Sequence, residues 1–489
     1  MPALLEAAPA VTDPVVSVGA TAPRQPGAGR SIRDRLVRIA SKPGTLALLD
    51  QAIVSGTMFA TNVVTGRSVS AADLGVYFIA LNMLYFFRGV QEQLAYAPYM
   101  ILGPRCDAAS LPRFSGSVLV HLFVILACVA VLFAAQGFIN TIGLGAASAH
   151  TLAVVLSVAG PVWLLREFTR QAAFARFEFA AAAAIDAVAA SVQLLGLAAL
   201  VVTGLACPIS IFAVMAMGSG LAVASYVVGW RPRIRIEWSR VASDWHRNWR
   251  LSRWALASQL VSNTMLFAMP SIVAAWMNPA EAGRMAACCT LVGLAGMFVT
   301  GMSNVNAPQA VHAFVRGGHS DLWSHTRRAS LQFAAALGLF TAVVWFGGES
   351  IVQVVYGGRF TGLAGPMTLF AIGILMNAVG IPAGNALCAM ERPRLNFVAD
   401  FSQLIATLLT CVVAVPTWGM SGAGLSLLAG YAVGSTVRWV TYVSAKEVSA
   451  KQVSVKEVSV KEVSASEVSA KEATAFAPTA CGSEAGGRS

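Results

Sequence analysis

The sequence predicts an all-α integral membrane protein of about twelve transmembrane helices, arranged as two pseudo-symmetric six-helix bundles around a central cavity. Three observations carry this. Mean hydropathy is +0.67 with 56% hydrophobic and only 12% charged residues, against roughly 25% charged in soluble domains. Apolar runs of about 20 residues recur, long enough to cross about 30 Å of hydrocarbon as helices. The chain also reads twice: Leu48-Leu49-Asp50-Gln51-Ala52-Ile53-Val54-Ser55 is echoed about 208 residues later by Leu256-Ala257-Ser258-Gln259-Leu260-Val261-Ser262-Asn263.

The register of that echo holds, because Ala72-Asp73-Leu74-Gly75 falls opposite Ala280-Glu281-Ala282-Gly283, with Pro98 and Pro308 following at similar distances. The spans expected in the first copy are Leu46–Gly66, Leu74–Gly103, Phe114–Phe138, Thr151–Phe168, Phe179–Gly204 and Pro208–Trp230. Those of the second are Leu251–Met277, Ala282–Val305, Ala329–Gly347, Leu363–Met390, Phe397–Val415 and Gly422–Val443. An even number of spans per copy gives both halves the same orientation, related by an axis along the membrane normal. Repeat interfaces of this kind hold the central sites of transporters, which points to a carrier.

A net charge of +11 would suggest nucleic acid in a soluble protein, but here positive residues mark the cytoplasmic side, and no nucleic-acid partner is expected. Arginines crowd the N-terminal segment and every second connection, among them Arg105, Arg113, Arg176, Arg240, Arg316, Arg327, Arg328 and Arg394, whereas the alternate connections carry Arg67, Arg284 and Arg359. Both termini are therefore expected in the cytoplasm. Residues 1–45 read as a disordered basic tail without a signal peptide, and residues 231–250, which interleave arginine with Trp238, Trp245 and Trp249, read as a membrane-surface linker helix between bundles 46–230 and 251–443. Residues 444–489 begin with a repeat of the type Val-Ser-Ala-Lys-Glu; five residues turn a helix by about 500°, so no apolar stripe forms, and a weakly structured cytoplasmic tail is expected. The eight cysteines lack metal-ligand spacing and read as small buried hydrophobes; neither a metal nor a cofactor is implied.

Charges inside a bilayer are costly and mark functional positions. Arg88 stands in the second span with Glu92 one turn on, either as a neutralised intrahelical pair or with its guanidinium offered to a phosphate. Asp186 and Asp400 occupy equivalent places in the fifth span of each half, each followed by a glutamine, Gln193 or Gln403. They would either hold a coupling cation or proton, as would Asp50, or pair with arginines at the cytoplasmic ends such as Arg176 and Arg394. Asp50 has a second reading, snorkelling to the interface. Gln51, Gln259 and Asn263 form a polar set on the first helix of each half, and Arg166 with Arg170 would receive an anion at the inner mouth or serve as topology signals. Gly430 with Gly434, and Gly293, Gly296 and Gly301, are expected where helix backbones approach closely.

Several stretches resemble the polysaccharide flippases, a family related to the multidrug and toxin extrusion (MATE) carriers. They are Asp50 to Gly56, Tyr96-Ala97-Pro98-Tyr99-Met100-Ile101-Leu102-Gly103-Pro104, Leu165-Arg166-Glu167-Phe168-Thr169-Arg170-Gln171, Val355-Tyr356-Gly357-Gly358-Arg359-Phe360 and Gly419-Met420-Ser421-Gly422-Ala423-Gly424. The resemblance implies passage of a polyprenyl-diphosphate-linked oligosaccharide from the cytoplasmic to the outer leaflet of a bacterial inner membrane by alternating access, for exopolysaccharide, O-antigen (lipopolysaccharide) or capsule synthesis. Partners would be membrane lipids, glycosyltransferases and a polysaccharide polymerase. Arg88 would take the diphosphate and Arg166 and Arg170 would receive it. The alternatives are a cation-coupled multidrug exporter of the MATE type, or a membrane glycosyltransferase or polymerase, which would need catalytic residues on a substantial outward loop. No such loop is visible, and no catalytic residue is expected.

Overall fold

The computed structural model describes residues 43–103, 106–107, 109–139, 147–230, 234–390 and 392–475, so the N-terminal tail up to residue 42 and the last 14 residues, 476–489, lie outside the described residues. Among the described residues every regular element is helical. The first half comprises α1 (Pro43–Ser68), α2 (Ala71–Gln91, running on through a wide five-residue turn at Glu92–Tyr96 into Ala97–Leu102), α3 (Leu111–Ile139), α4 (Ala147–Ala175), α5 (Phe179–Val202) and α6 (Pro208–Trp230). The second begins with α7 (Trp238–Trp276). A continuous run over Pro279–Tyr356 breaks at Gly317 and Gly318 into α8 (279–316) and α9 (319–356). After α10 (Ala364–Ala389), the run Pro393–Ala475 breaks at Gly419, whose φ is 56°, into α11 (393–418) and α12 (420–475). Seven of the continuous runs are long and apolar enough to cross a membrane, and the two broken ones are among them.

The repeat extends to the way helices begin. Ser70 caps α2 by accepting from the Asp73 amide at 3.0 Å, and Asn278, its counterpart 208 residues on, caps α8 by accepting from the Glu281 amide at 2.9 Å. Each cap is followed by an acid in the first turn, which suits the positive end of the helix. The two capped starts lie against each other. A Cβ on Gly75 would stand 2.0 Å from the Pro279 carbonyl oxygen, and one on Gly283 only 1.8 Å from that of Ala71, so both positions require glycine and fasten the halves at this end. This is the end bearing Arg67, Arg284 and Arg359, called here the arginine-poor end.

Three expectations of the sequence are corrected here. Gly430 and Gly434 do press against α11, at Thr407 and Gln403, but Gly293, Gly296 and Gly301 have open space where a Cβ would stand; Gly293 instead lines the central cavity. The linker is not a separate surface helix: residues 231–233 lie outside the described residues, and 238–250 form the first turns of α7 itself. These turns are tied to α3, because the Arg235 amide donates to the Pro112 carbonyl at 2.9 Å and a nitrogen of the His121 ring, Nε2, bonds the Val241 carbonyl at 2.9 Å. Finally, the five-residue repeat continues α12 as helix to Ala475 rather than being weakly structured. The physical reason is local: the repeat has no stripe, but from Ser435 to Ala475 it has no glycine or proline either, and Ala, Lys and Glu are good helix formers.

Candidate functional site

Helix α4 places Arg166, Glu167 and Arg170 within one turn, aimed at α1, α2 and α5. Arg166 binds Glu167 at 3.1 Å and Asp186 of α5. Arg170 binds Glu167 and Asp50 of α1, both at 3.2 Å, and approaches Asp186 at 3.6 Å. Arg88 of α2 completes the network by pairing with Glu167 at 3.5 Å. Three guanidinium groups thus meet three carboxylates, and the sum of charge is zero. Burial of such a group is tolerable because each ion has partners, and removing one of its fully buried members would strand its partners. The buried Oδ1 of Asp50 and Oδ2 of Asp186 make no hydrogen bond, so the network has acceptor capacity left over inside the first half.

The second half carries a smaller cluster. Arg438 of α12 donates to Asp400 of α11 and, at 3.1 Å, to the Asn377 amide oxygen of α10. The repeat has therefore kept the acid on the fifth helix of each half, while its arginine comes from the fourth helix in one half and from the sixth in the other.

Between the halves lies a cavity of about 640 Å³. Met58, Phe59, Phe78, Met269, Met285, Met297 and Phe370 give it a broad apolar wall, and Ser55, Asn62, Asn82, Tyr85, Asn377, Asp400, Gln403, Tyr431 and Arg438 supply hydrogen-bonding groups. Towards the arginine-poor end the lining stops at Phe78 and Met285, within a turn of the Gly75–Gly283 contact, so the cavity is sealed there. Towards the arginine-rich end it reaches Ser55, Tyr85 and Arg438.

Measured against this geometry, the expected residues separate. Arg88 is not neutralised by Glu92; its partner is Glu167 on another helix, and Glu92 lies half-buried in the wide turn. Local spacing showed only the neighbour four residues away, and the cross-helix partner outcompeted it. Arg88 lies about 25 Å along α2 from Ala71 and about 21 Å from Leu102, by the rise of a helix, and so near the middle of this run. Its side chain keeps 34% of its surface, one turn from cavity-lining Tyr85. Arg166 and Arg170 are buried network members, not mouth residues. Asp50 does not snorkel, being fully buried on Arg170. Asp186 and Asp400 pair with arginines as expected, but with Arg166, Arg170 and Arg438 rather than Arg176 and Arg394; Arg176 instead donates to the Tyr99 hydroxyl at 2.8 Å. Gln51 is exposed and donates to Ser55 at 3.0 Å, and Gln259 is half-buried. The side chain of Asn263 lies outside the described residues. Sequence reasoning missed Arg438 and Asn377, and named Glu167 without giving it a role.

Among the described residues twelve helical segments form two like halves, closed on each other at one end around a central cavity, and solved structures share this arrangement. The chain has the fold of the MOP-superfamily transporters. An inward-facing multidrug resistance MATE family transporter of that superfamily matches with a TM-score of 0.67 at 11% identity, over 82% of this chain and 96% of that one. The lipid II flippase MurJ, in an inward closed conformation, matches with a TM-score of 0.63 at 13% identity, over 82% and 87%. A MOP-superfamily transporter from Pyrococcus furiosus, described as having a binding pocket of reverse polarity, matches at 0.58 and 12%, over 84% and 97%. No protein-family model and no curated protein matches the sequence.

Proposed function

We propose that this MOP-fold transporter is an alternating-access flippase for a polyprenyl-diphosphate-linked oligosaccharide, working in a bacterial inner membrane with both termini in the cytoplasm. The observation that carries the reading is the two-sided character of the cavity beside a partly exposed arginine. Amide, hydroxyl and paired-ion groups at Asn62, Asn82, Asn377, Gln403, Asp400 and Arg438 suit sugar hydroxyls, and Arg88, a third exposed, offers a fork of donors to a diphosphate. A volume of about 640 Å³ falls in the range of small-molecule sites and suits a head group of a few sugars, not a prenyl chain, which stays in lipid between helices.

In this reading the arginine-rich end is cytoplasmic and the cavity is open to that side. Rocking of the halves that parts the Gly75–Gly283 contact would open the opposite side. A coupling proton or cation would be taken at the carboxyl oxygens of Asp50 and Asp186 that make no hydrogen bond. Glycosyltransferases would supply the cargo and a polymerase would consume it. One observation favours a second reading, a drug exporter: Met58, Met269, Met285 and Met297 form a pliable apolar surface of the sort that accepts varied ligands.

Reconstituted vesicles separate the two. Protein-dependent movement of a fluorescent polyprenyl-diphosphate oligosaccharide between leaflets, abolished by Arg88→Ala, is the expected result. Efflux of a cationic dye without lipid movement would overturn the flippase reading.

A further inference from the structure

A second pocket, of about 390 Å³, lies away from the central cavity, between the ends of α8 and α9 at the arginine-rich end. It is lined from α8 by Gln309, His312, Ala313 and Arg316, and from α9 by Asp321, Ser324, His325 and Arg328. On each helix the lining residues are spaced 0, 3, 4 and 7, so two polar faces meet across the hairpin. Among the described residues no ion pair engages Arg316 or Arg328, unlike the arginines of the central network. The one acid, Asp321, lies over the broken turn, where a Cβ added to Gly317 would stand 2.2 Å from its carboxyl group. His325 is oriented by a 2.8 Å bond to the amide oxygen of the buried Asn306. The polar end is thus a positively charged cup with one of its walls fixed from within.

Exposed aliphatic side chains flank that cup. Val311 and Val315 of α8 are 47% and 78% exposed, and Leu331, one turn beyond Arg328 on α9, is 60% exposed. By the rise of a helix, Val311 lies about 10 Å and Arg328 about 16 Å from the break at Gly317 and Gly318, so of these side chains only Leu331 lies deeper towards the bilayer than both arginines. A cationic cup with an exposed aliphatic side chain one turn below Arg328, on the bilayer side, matches a phosphate joined to acyl chains better than a free ion. Nor does the pocket fit a metal, since among the described residues no His, Cys, Asp and Glu group has the geometry to hold one.

We propose that the α8–α9 pocket binds the headgroup phosphate of an anionic phospholipid, held by Arg316 and Arg328 with His312 and His325 alongside, at a site separate from the transport cavity. The chemistry recognised is a phosphate monoanion, so lipid and free phosphate must be told apart by experiment. Native mass spectra of the full chain released from detergent would be recorded after equal exposure to phosphatidylglycerol, phosphatidylcholine or inorganic phosphate. The expected result is one retained phosphatidylglycerol, at least tenfold less phosphatidylcholine, and no retained inorganic phosphate. Retention should fall at least tenfold in Arg316→Gln/Arg328→Gln and stay at the original level in Arg327→Gln, which removes a neighbouring arginine that does not line the pocket. The single variants Arg316→Gln and Arg328→Gln, with each exposed arginine removed alone, should give intermediate loss if the double variant does not fold. Equal retention of both lipids, retention of inorganic phosphate alone, or equal loss in Arg327→Gln would each overturn the proposal.

Discussion

Arg67 and Arg359 each bind the other's segment of main chain across the boundary between the halves. The Arg359 guanidinium donates to the Arg67 carbonyl, while the Arg67 guanidinium donates to the carbonyls of Val355 and, at 2.7 Å, Val354. Beside them Tyr356 is buried over Gly66, where an added Cβ would lie 2.6 Å from its ring. Hydrogen bonds to charged groups contribute about 1.5–3 kcal/mol each, so this reciprocal pair is sufficient to bias which end of the cavity is closed.

Replacing both arginines, as Arg67→Ala with Arg359→Ala, should shift the population towards opening at the arginine-poor end. In a background where cavity-lining Cys289 is the only cysteine, labelling by an impermeant maleimide from that side should rise on the order of tenfold, the factor corresponding to about 1.4 kcal/mol. Unchanged labelling would show that the pair does not hold the seal.

Within the first-half network, Arg170→Ala should be far more damaging to the fold than Arg88→Ala. Arg170 touches three carboxylates, and removing one partner from a buried ionic cluster costs about 3–5 kcal/mol, whereas Arg88 is partly exposed and touches only Glu167. Thermal unfolding in detergent should therefore show a large loss for Arg170→Ala and a small one for Arg88→Ala. Glycan export should vanish in both. Wild-type export by folded Arg88→Ala would remove Arg88 from the transport path.

The Asp400–Arg438 pair is predicted to serve both structure and cargo. Arg438→Leu alone leaves Asp400 without its arginine and should lower folded protein; adding Asp400→Leu should restore abundance but not transport, because both side chains line the cavity. Recovery of transport in the double variant would make the pair purely structural.

Orientation is tested by single cysteines. Those placed at Ala206 and Trp418 should react with an impermeant reagent added outside cells, and those at Ser110 and Ser320 should not. The opposite pattern would invert the topology and with it the assignment of the cavity mouth.

The terminal repeat should be dispensable. Tyr442 and Ala445 are buried against α8, α9 and α10, so the chain should be ended just past them, after Lys446. Insertion and transport should survive this cut, as measured by protein abundance and lipid movement. Loss of transport at normal abundance would give the repeat a role.

Much of the architecture was legible because the duplication is written in small polar residues, not only in hydropathy. Ser70-Ala71-Ala72-Asp73-Leu74-Gly75 and Asn278-Pro279-Ala280-Glu281-Ala282-Gly283 repeat the cap, the acid and the glycine of one helix start. The equivalence of Asp186 and Asp400 was legible for the same reason. Their partners were not, since an ion pair between helices leaves no trace in spacing. Arg438 could not be told from a topology signal near the end of its span, and Arg88 was assigned to the acid four residues away because that is the contact spacing reveals.

The wide turn at Glu92–Tyr96 bears on how the first half could be rebuilt. There the Ala97 amide bonds to the Glu92 carbonyl, five residues back, so one residue more than an ordinary turn requires is accommodated just before Pro98, which has no amide hydrogen to give. Beyond it the helix is out of phase with its own beginning by one residue, about 100° of rotation. Buried Pro98, Tyr99 and Leu102 face inward only because of that phase change. Deleting a single residue between Glu92 and Tyr96 would straighten the backbone yet turn Tyr99, with its link to Arg176, out of the bundle. A chimera that grafts this half onto another carrier must therefore keep the extra residue, although an alignment by helix length would mark it as a gap to be closed.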